Sequence, residues 1–496
     1  MLAAPRCRSR ALLVVPDGAG GSAKAGVRLG PEPGSVLQGL PSRFGNDHDA
    51  GVSTPETKYA KASDGVSLAY QVVGEGPIDL LWLDGMRGNL EVMWEQRLYS
   101  SFFTKLSAGC RVIRFDMRGT GLSDRGIPPP DLETHMEDAC CVLDFVGSQR
   151  TVIVGHAWGT EAAGLFASTF PLRTVALVLV AASARNRWAP DYPWGFSEEV
   201  LDRSLLLVES SWGTDGCAAR EVAFAAPSML NDRDYIRWVG KVQRHWIGPS
   251  GAAALERQFF ESDVREALRS VQVPTLVVAR EWDDPEEDAY VAELIPQARL
   301  VRLPGREWII WVGDQDSVIT AIQQLLAAKH PTIAHDRVLA TVLFTDIVGS
   351  TEAASRLGDA EWKKLLAAHD DCARAEIERF RGRYVHTTGD GLLATFDGPA
   401  RAVRCAQAIG EAVGRLGLQI RAGCHTGEIE LADDDIQGLS VHVGARVVAL
   451  AAPSEVLVSS TLKDLVAGSG LTFEDAGEHE LKGVPDRWHL YRAIAK

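Results

Sequence analysis

The sequence predicts two folded domains of different class: an α/β domain with a mostly parallel sheet and a helical cap, followed by a smaller α+β domain. Three observations lead to this division. Short apolar strands alternate with amphipathic helices over residues 58–329, which is typical of a parallel sheet covered by helices. A helical, tryptophan-rich stretch at about 184–270 interrupts that alternation and predicts a cap over the carboxyl ends of the strands. After residue 336 the order of elements becomes β-α-β-β-α-β, which indicates a ferredoxin-like sandwich over residues 337–496.

Two further segments complete the organisation. Residues 1–57 are rich in Gly, Pro, Ser and Ala, and this composition predicts a disordered leader. Residues 330–336, HPTIAHD, predict a linker between the domains. Because few residues join the two domains, we expect mechanical coupling between them.

Composition and charge exclude several classes of function. Hydrophobic residues make up 46% of the 496 residues and charged residues 24%, as in ordinary globular proteins. The formal net charge of −15 argues against a nucleic-acid partner, since phosphate backbones need a basic surface. No apolar run reaches the roughly 18 residues that a membrane span needs. The 8 cysteines include no CxxC pair, which predicts free thiols in a reducing, cytoplasmic setting.

Two acidic residues of the second domain are candidate metal ligands. Asp346 ends a buried strand in the stretch FTDIVGST, and Asp390 lies at the tip of a predicted hairpin in TTGDG. An Asp-Gly pair in a hairpin is usually only a turn. Two carboxylates on neighbouring strands, however, suit a pair of Mg²⁺ or Mn²⁺ ions, because hard cations prefer oxygen ligands.

Four further residues of this domain are candidate phosphate contacts. Arg421 lies on a predicted strand in IRAGCHTGE, and Lys482 lies in a predicted turn in HELKGVP. His442 and Arg446 are four residues apart in VHVGARV, on one face of a predicted helix. Any one of these basic residues alone is typical of a solvated surface charge, whereas the four together suit the binding of a triphosphate.

With these motifs in this order, residues 337–496 resemble the class III adenylate and guanylate cyclases, particularly the actinobacterial type. The resemblance implies that Asp346 and Asp390, with the backbone carbonyl of Ile347, hold two metal ions. It also implies that Arg421 and Lys482 bind the β- and γ-phosphates. One metal would lower the pKa of the ribose 3′-hydroxyl and the other would neutralise the triphosphate.

The remaining implied roles concern the purine and the transition state. Arg446 would stabilise charge on the α-phosphate, and Asp435 occupies the purine-reading position. The sequence departs from the family twice: His386 stands where a lysine normally reads the purine, and His442 stands where an amide, often Asn, is usual. The family builds its site between two subunits, so the resemblance implies a homodimer.

The resemblance implies a cyclase that acts on ATP. Guanylate cyclase activity and a non-catalytic nucleotide- or ligand-binding signalling protein remain alternatives, because His386 replaces the residue that distinguishes purines.

The first domain carries the motif VIVGHAWGT at 152–160, directly after a predicted buried strand. Together with FDMRGTGLSD at 115–124, it resembles the α/β-hydrolase superfamily, whose nucleophile elbow reads G-x-S-x-G. The resemblance assigns the nucleophile, acid and base positions to Ala157, Asp283 and Trp308. An alanine methyl and an indole cannot perform acyl transfer.

The first domain is therefore predicted to be an inactive pseudo-hydrolase, and an active esterase is the less favoured alternative. A pocket under the cap is expected to bind a small apolar ligand that regulates the cyclase. The competing expectation is that the domain only packs against the cyclase or helps it to dimerise.

Overall fold

The computed structural model describes residues 54–85, 88–281, 284–328, 337–432 and 435–494. Most of the predicted leader, the whole predicted linker and Asp283 lie outside the described residues.

The first domain is built on a twisted sheet of eight strands in the order β1-β2-β4-β3-β5-β6-β7-β8. β1 pairs antiparallel with β2, and β2 with β4, whereas all remaining neighbours are parallel. The strands are β1 (Lys58–Lys61), β2 (Ser67–Val73), β3 (Glu75–Asp84), β4 (Ala108–Phe115), β5 (Thr151–His156), β6 (Thr174–Val180), β7 (Thr275–Arg280) and β8 (Arg299–Leu303).

Helices cover both faces of this sheet and form the cap. The helices that connect the strands are α1 (Leu90–Trp94), α2 (Arg97–Leu106), α3 (Leu132–Phe145), α4 (Gly159–Thr169), α9 (Arg265–Arg269), α10 (Pro285–Leu294) and α11 (Gln315–Ala327). The predicted cap contains α5 (Glu198–Ser211), α6 (Asp215–Ala225), α7 (Arg233–Trp246) and α8 (Pro249–Glu261), all between β6 and β7. The sequence explains where α7 begins, because the side chain of Asp232 at the N-cap position accepts hydrogen bonds from two backbone amides of the first turn.

The second domain has its own sheet, in which β9, β10, β11 and β12 take the order β10-β11-β9-β12 of a ferredoxin-like sandwich. The strands are β9 (Arg337–Ile347), β10 (Arg383–Thr387), β11 (Gly391–Phe396), β12 (Ile420–Ala432), β13 (Asp435–Gln437), β14 (Val456–Ser459), β15 (Thr472–Glu480) and β16 (Arg487–Ile494). The helices are α12 (Ser350–Leu357), α13 (Asp359–Arg379), α14 (Pro399–Gly414), α15 (Leu439–Leu450) and α16 (Ser460–Leu465).

The predicted fold class, α/β followed by α+β, is confirmed. β1, α12 and the strands β13 to β16 were not predicted from the sequence. β1 is four residues long and exposes three of them, and α12 buries no residue, so neither carries a clear apolar period.

Two other expectations concern cysteines and membranes. The seven cysteines in the described part of the chain are free thiols, four of them buried. None of the described helices combines the length and the apolar character that crossing a bilayer requires.

Gly391, the first residue of β11, is required by the close approach of β9. A Cβ atom at this position would lie 1.8 Å from the carbonyl oxygen of Thr345. By contrast, a Cβ at Gly410, inside α14, would meet no atom within 4 Å.

We predict that Gly391→Ala lowers the free energy of unfolding by about 1–3 kcal/mol, because the two strands must move apart. The matched control, Gly410→Ala, should raise it by about 1 kcal/mol, since alanine favours a helix interior. Urea unfolding followed by circular dichroism measures both. Equal effects of the two substitutions would contradict the close approach.

Candidate active site

The register of three antiparallel strands determines the geometry of the predicted metal site. On β9, Asp346 pairs with Gly391 of β11 on one side and with Arg421 of β12 on the other. The Ile347 amide donates a 3.2 Å hydrogen bond to the carbonyl oxygen of Asp390. Asp346 and Asp390 therefore come from neighbouring strands at the same end of the sheet.

Both carboxylates already have side-chain partners. The Arg421 guanidinium donates to Oδ2 of Asp346 from Nε, at 2.7 Å, and from Nη2. The hydroxyl of Ser350 donates to Oδ2 of Asp390. Ser350 was not among the predicted residues, although it lies in the same FTDIVGST stretch, where Gly349 adopts a φ of 67° and α12 begins.

The donor set fits a divalent cation. Carboxylate oxygens are the ligands such ions prefer, and the side chains of Asp346 and Arg421 keep 26% and 35% of their exposure. A cation at Asp346 would share this carboxylate with Arg421. Over the described ranges, no group of three or more His, Cys, Asp or Glu side chains is arranged to hold a metal ion.

The two predicted purine-reading residues lie beside each other. Nδ1 of His386 is 3.8 Å from Oδ1 of Asp435, and both side chains are about half exposed or more. A register shift between Tyr384 and His386 in β10 interrupts the regular pairing with β11. Such irregularities re-aim side chains, and here His386 faces the start of β13.

The predicted transition-state residues lie on α15. His442 and Arg446 are exposed on this helix, and Nε of Arg446 donates a 3.0 Å hydrogen bond to the carbonyl oxygen of Lys482. Lys482 lies in the turn between β15 and β16, as predicted. Arg446 and Lys482 are therefore neighbours within one chain.

The first domain keeps the backbone of a nucleophile elbow around Ala157. Ala157 follows β5 and precedes α4 with a φ of 54°, a left-handed conformation that non-glycine residues rarely adopt. The flanking glycines are needed, because a Cβ at Gly159 would lie 2.1 Å from the carbonyl oxygen of Leu83. The side chain in the nucleophile position is a methyl group that is 4% exposed.

The position of the base carries an indole. Trp308 packs at ring distances of 5.7 Å from His156 and 5.8 Å from Phe224. The neighbouring His156 is buried: Nδ1 lies 3.3 Å from Oδ1 of Asp84, and Nε2 lies 3.4 Å from the carbonyl oxygen of Trp308. His156 is thus a packed, hydrogen-bonded residue.

The loop that carries Trp308 is held by a buried arginine. The guanidinium of Arg280, at the end of β7, donates to the backbone carbonyls of Glu307, Ile310, Val312 and Asp314 at 2.9–3.2 Å. Arg280 was not singled out from the sequence, because a single arginine at a strand end carries no recognisable signal.

Comparison with known proteins assigns both domains. Residues 80–324 match the family model of the alpha/beta hydrolase fold, and residues 334–493 match that of the adenylate and guanylate cyclase catalytic domain. The chain is a fusion of these two domains. The strained elbow belongs to the hydrolase-fold domain, and the paired carboxylates belong to the cyclase domain.

Curated relatives match one domain each. The putative adenylate cyclase 3 of Rhizobium meliloti (strain 1021) is 30% identical over 164 residues, which are 31% of this chain and 28% of that protein. The bifunctional esterase/perhydrolase DCH of Acinetobacter calcoaceticus is 26% identical over 265 residues, 50% of this chain and 91% of that protein. The crystal structure of the adenylyl cyclase CyaB from P. aeruginosa aligns with 32% of this chain and 95% of its own, with 21% identity and a TM-score of 0.31.

We predict that Ala157→Ser alone does not create an esterase, because the predicted position of the base holds the indole of Trp308, which cannot take the proton from the new hydroxyl. The ring nitrogens of His156 lie 3.3 Å from a carboxylate oxygen of Asp84 and 3.4 Å from the carbonyl oxygen of Trp308, and the ring packs against the Trp308 indole. Hydrolysis of p-nitrophenyl acetate by the purified variant should equal that of the unchanged protein. A saturable rate above that background would contradict this account of the elbow.

Proposed function

We propose that the cyclase domain converts ATP to 3′,5′-cyclic AMP and pyrophosphate in a homodimer. The observation that supports this most directly is the register across β9, β11 and β12, which gathers Asp346, Asp390 and Arg421 at one end of the sheet. Carboxylates for a cation and a guanidinium for phosphate are the two requirements of phosphoryl transfer from a nucleotide.

Each of these residues would have a separate role in the proposed reaction. Asp346 and Asp390 would hold divalent cations, Mg²⁺ or Mn²⁺, which when bound neutralise the triphosphate and acidify the attacking hydroxyl. Arg421 would exchange its contact with Asp346 for the β- and γ-phosphates, and Lys482 would bind them from the other side. The 3′-oxygen then bonds to the α-phosphorus as the bond to the β-phosphate oxygen breaks, and pyrophosphate leaves.

Substrate choice would rest on His386 and Asp435. Their closest nitrogen–oxygen distance is 3.8 Å, so one purine edge can reach both. Asp435 accepts from an exocyclic amine such as the 6-amino group of adenine, which favours ATP. The side chain of His386 is shorter than that of lysine, and for this reason GTP remains a second candidate.

The homodimer is supported by the surface of α15. Leu439 and Leu450, at the two ends of this helix, are 53% and 43% exposed, and His442 and Arg446 lie between them. Burying these leucines against a second copy would carry His442 and Arg446 to the partner's substrate, where Arg446 stabilises charge on the α-phosphate.

The hydrolase-fold domain would act as a regulator without hydrolytic activity, in a cytoplasmic protein. Ala157 and Trp308 remove the nucleophile and the base, while the elbow and cap are retained. A small apolar ligand under the cap would regulate the cyclase if it binds its two states with different affinities.

We predict that Asp346→Ala lowers cyclic AMP formation at least about a hundredfold. The cation loses a ligand, and the negative charge that develops on the phosphates during the reaction is then no longer compensated. The matched control is Asp371→Ala, which removes an exposed carboxylate of α13 and should leave the rate unchanged. The assay uses the full chain with ATP or GTP and Mn²⁺, and quantifies both cyclic products. Absence of both products with every divalent metal would favour the alternative, a non-catalytic binding protein.

His386→Lys should raise the kcat/KM for ATP about tenfold, since a lysine adds a longer, charged donor for the purine. Parallel measurements with GTP separate the two purines. A gain for GTP and none for ATP would assign the site to guanine.

A further inference from the structure

A carboxylate of the hydrolase-fold domain reaches into the cyclase domain. Oε2 of Glu133, in the first turn of α3, accepts a 2.6 Å hydrogen bond from the backbone amide of Ala400. Oε1 accepts a 2.8 Å bond from Nε of Arg401. The Glu133 side chain is 6% exposed, so this contact is buried between the domains.

The contact replaces a missing helix cap. α14 begins with Gly398 as N-cap and Pro399 at its first position, and no side chain of its own caps it. Helices normally satisfy their first amides with Ser, Thr, Asp or Asn. A Cβ on Gly398 would lie 1.9 Å from Oε1 of Glu133, so the glycine makes room for the incoming carboxylate. The cap of α14 is therefore supplied by another domain.

The neighbouring charges hold the same junction. Arg401 also contacts Glu137 of α3 at 3.1 Å, and Asp397 of its own domain. Arg381 reaches Glu137 at 3.7 Å from the turn before β10. These ion pairs join α3 to the first turn of α14 and to the turn before β10.

The junction is connected to the candidate active site through packing. α14 buries Ala402, Val403, Ala406 and Ile409 in the cluster that also contains Leu343, Ile347 and Leu392 of β9 and β11. Asp390 directly precedes β11, and α14 starts three residues after β11 ends. Because protein interiors are closely packed, a displacement of α14 is transmitted through this cluster to β9 and β11.

We propose that Glu133 is a positioning residue of the cyclase: it caps α14 from the hydrolase-fold domain and thereby fixes β11 and Asp390. This inference rests on the proposed function only in the part of its test that measures cyclase activity. It also gives the hydrolase-fold domain a physical means of acting on the cyclase without chemistry of its own.

The test compares Glu133→Ala with Asp144→Ala in the full chain. Asp144 lies on the same helix but pairs with Arg173 of its own domain, and its side chain is 67% exposed. Amide hydrogen exchange at residues 400–403 should accelerate about tenfold in Glu133→Ala, because loss of a cap frees the first turn. Asp144→Ala should leave this exchange unchanged.

The second part of the test is a kinetic measurement that determines kcat and KM separately. Glu133→Ala should lower kcat about tenfold and change the KM for ATP less than about twofold, since a displaced Asp390 impairs the reaction more than binding. Gly398→Ala, which displaces the carboxylate without altering Glu133, should reproduce both effects and serves if Glu133→Ala does not fold.

Unchanged amide exchange at residues 400–403 in Glu133→Ala and in Gly398→Ala would overturn the proposal. Faster exchange with unchanged kcat would also overturn it, because the cap would then be structural only. If the unchanged protein forms no cyclic nucleotide, the proposed function fails, and the exchange measurement alone decides whether Glu133 caps α14.

A pH dependence follows from the burial of Glu133. Burial raises the pKa of Glu133 to about 7, and Asp131 adds to the rise, while Arg401 and the Ala400 amide lower it. Glu137, Asp397 and Arg381 complete the charged surroundings. A carboxyl whose pKa is raised on folding stabilises the folded state below its unfolded pKa of 4.5, and this contribution is lost as pH rises through about 7.

We predict that the midpoint of thermal unfolding falls between pH 6 and pH 8 in the unchanged protein, and falls less in Glu133→Gln, which cannot titrate. Differential scanning calorimetry at pH 5, 6, 7 and 8 measures the two curves. Parallel curves for the two proteins would exclude Glu133 as the titrating group.

Discussion

The antiparallel pairing of β9 with β11 and β12 is the constraint on which the cyclase domain depends. Asp346 is fixed by this register between Gly391 and Arg421, and a one-residue slip would turn the carboxylate to the other face of the sheet. Gly391 allows β11 to approach, since any side chain there would meet the Thr345 carbonyl. The chemistry proposed for this site therefore depends on backbone geometry before it depends on charge.

Arg421 has two possible partners in this geometry. Its guanidinium lies on Asp346, and a buried or half-buried carboxylate without a counter-charge is costly. In the proposed reaction, a nucleotide with its cations would let the carboxylate and the guanidinium each exchange partners without loss of charge compensation. Arg421 thus balances the charge of Asp346, one of the two carboxylates of the site.

The hydrolase-fold domain has the backbone turn of a nucleophile elbow, with an alanine in the position of the nucleophile. The positive φ of Ala157 costs free energy in a turn that carries no nucleophilic side chain. Since the same backbone turn also joins β5 to α4 in a fully buried core, packing alone can maintain it. The surface of this domain contacts the cyclase domain where α3 meets α14.

The sequence by itself determined the two fold classes and the candidate residues of both sites. Strand–helix alternation, the Gly-Asp-Gly hairpin and the elbow glycines are local patterns, so they can be read along the chain. The tertiary structure decided which residues meet: Arg421 with Asp346, Ser350 with Asp390, and Glu133 with α14. Glu133 and Ala400 are 267 residues apart, and no local pattern records a contact that arises only when two folded domains pack together.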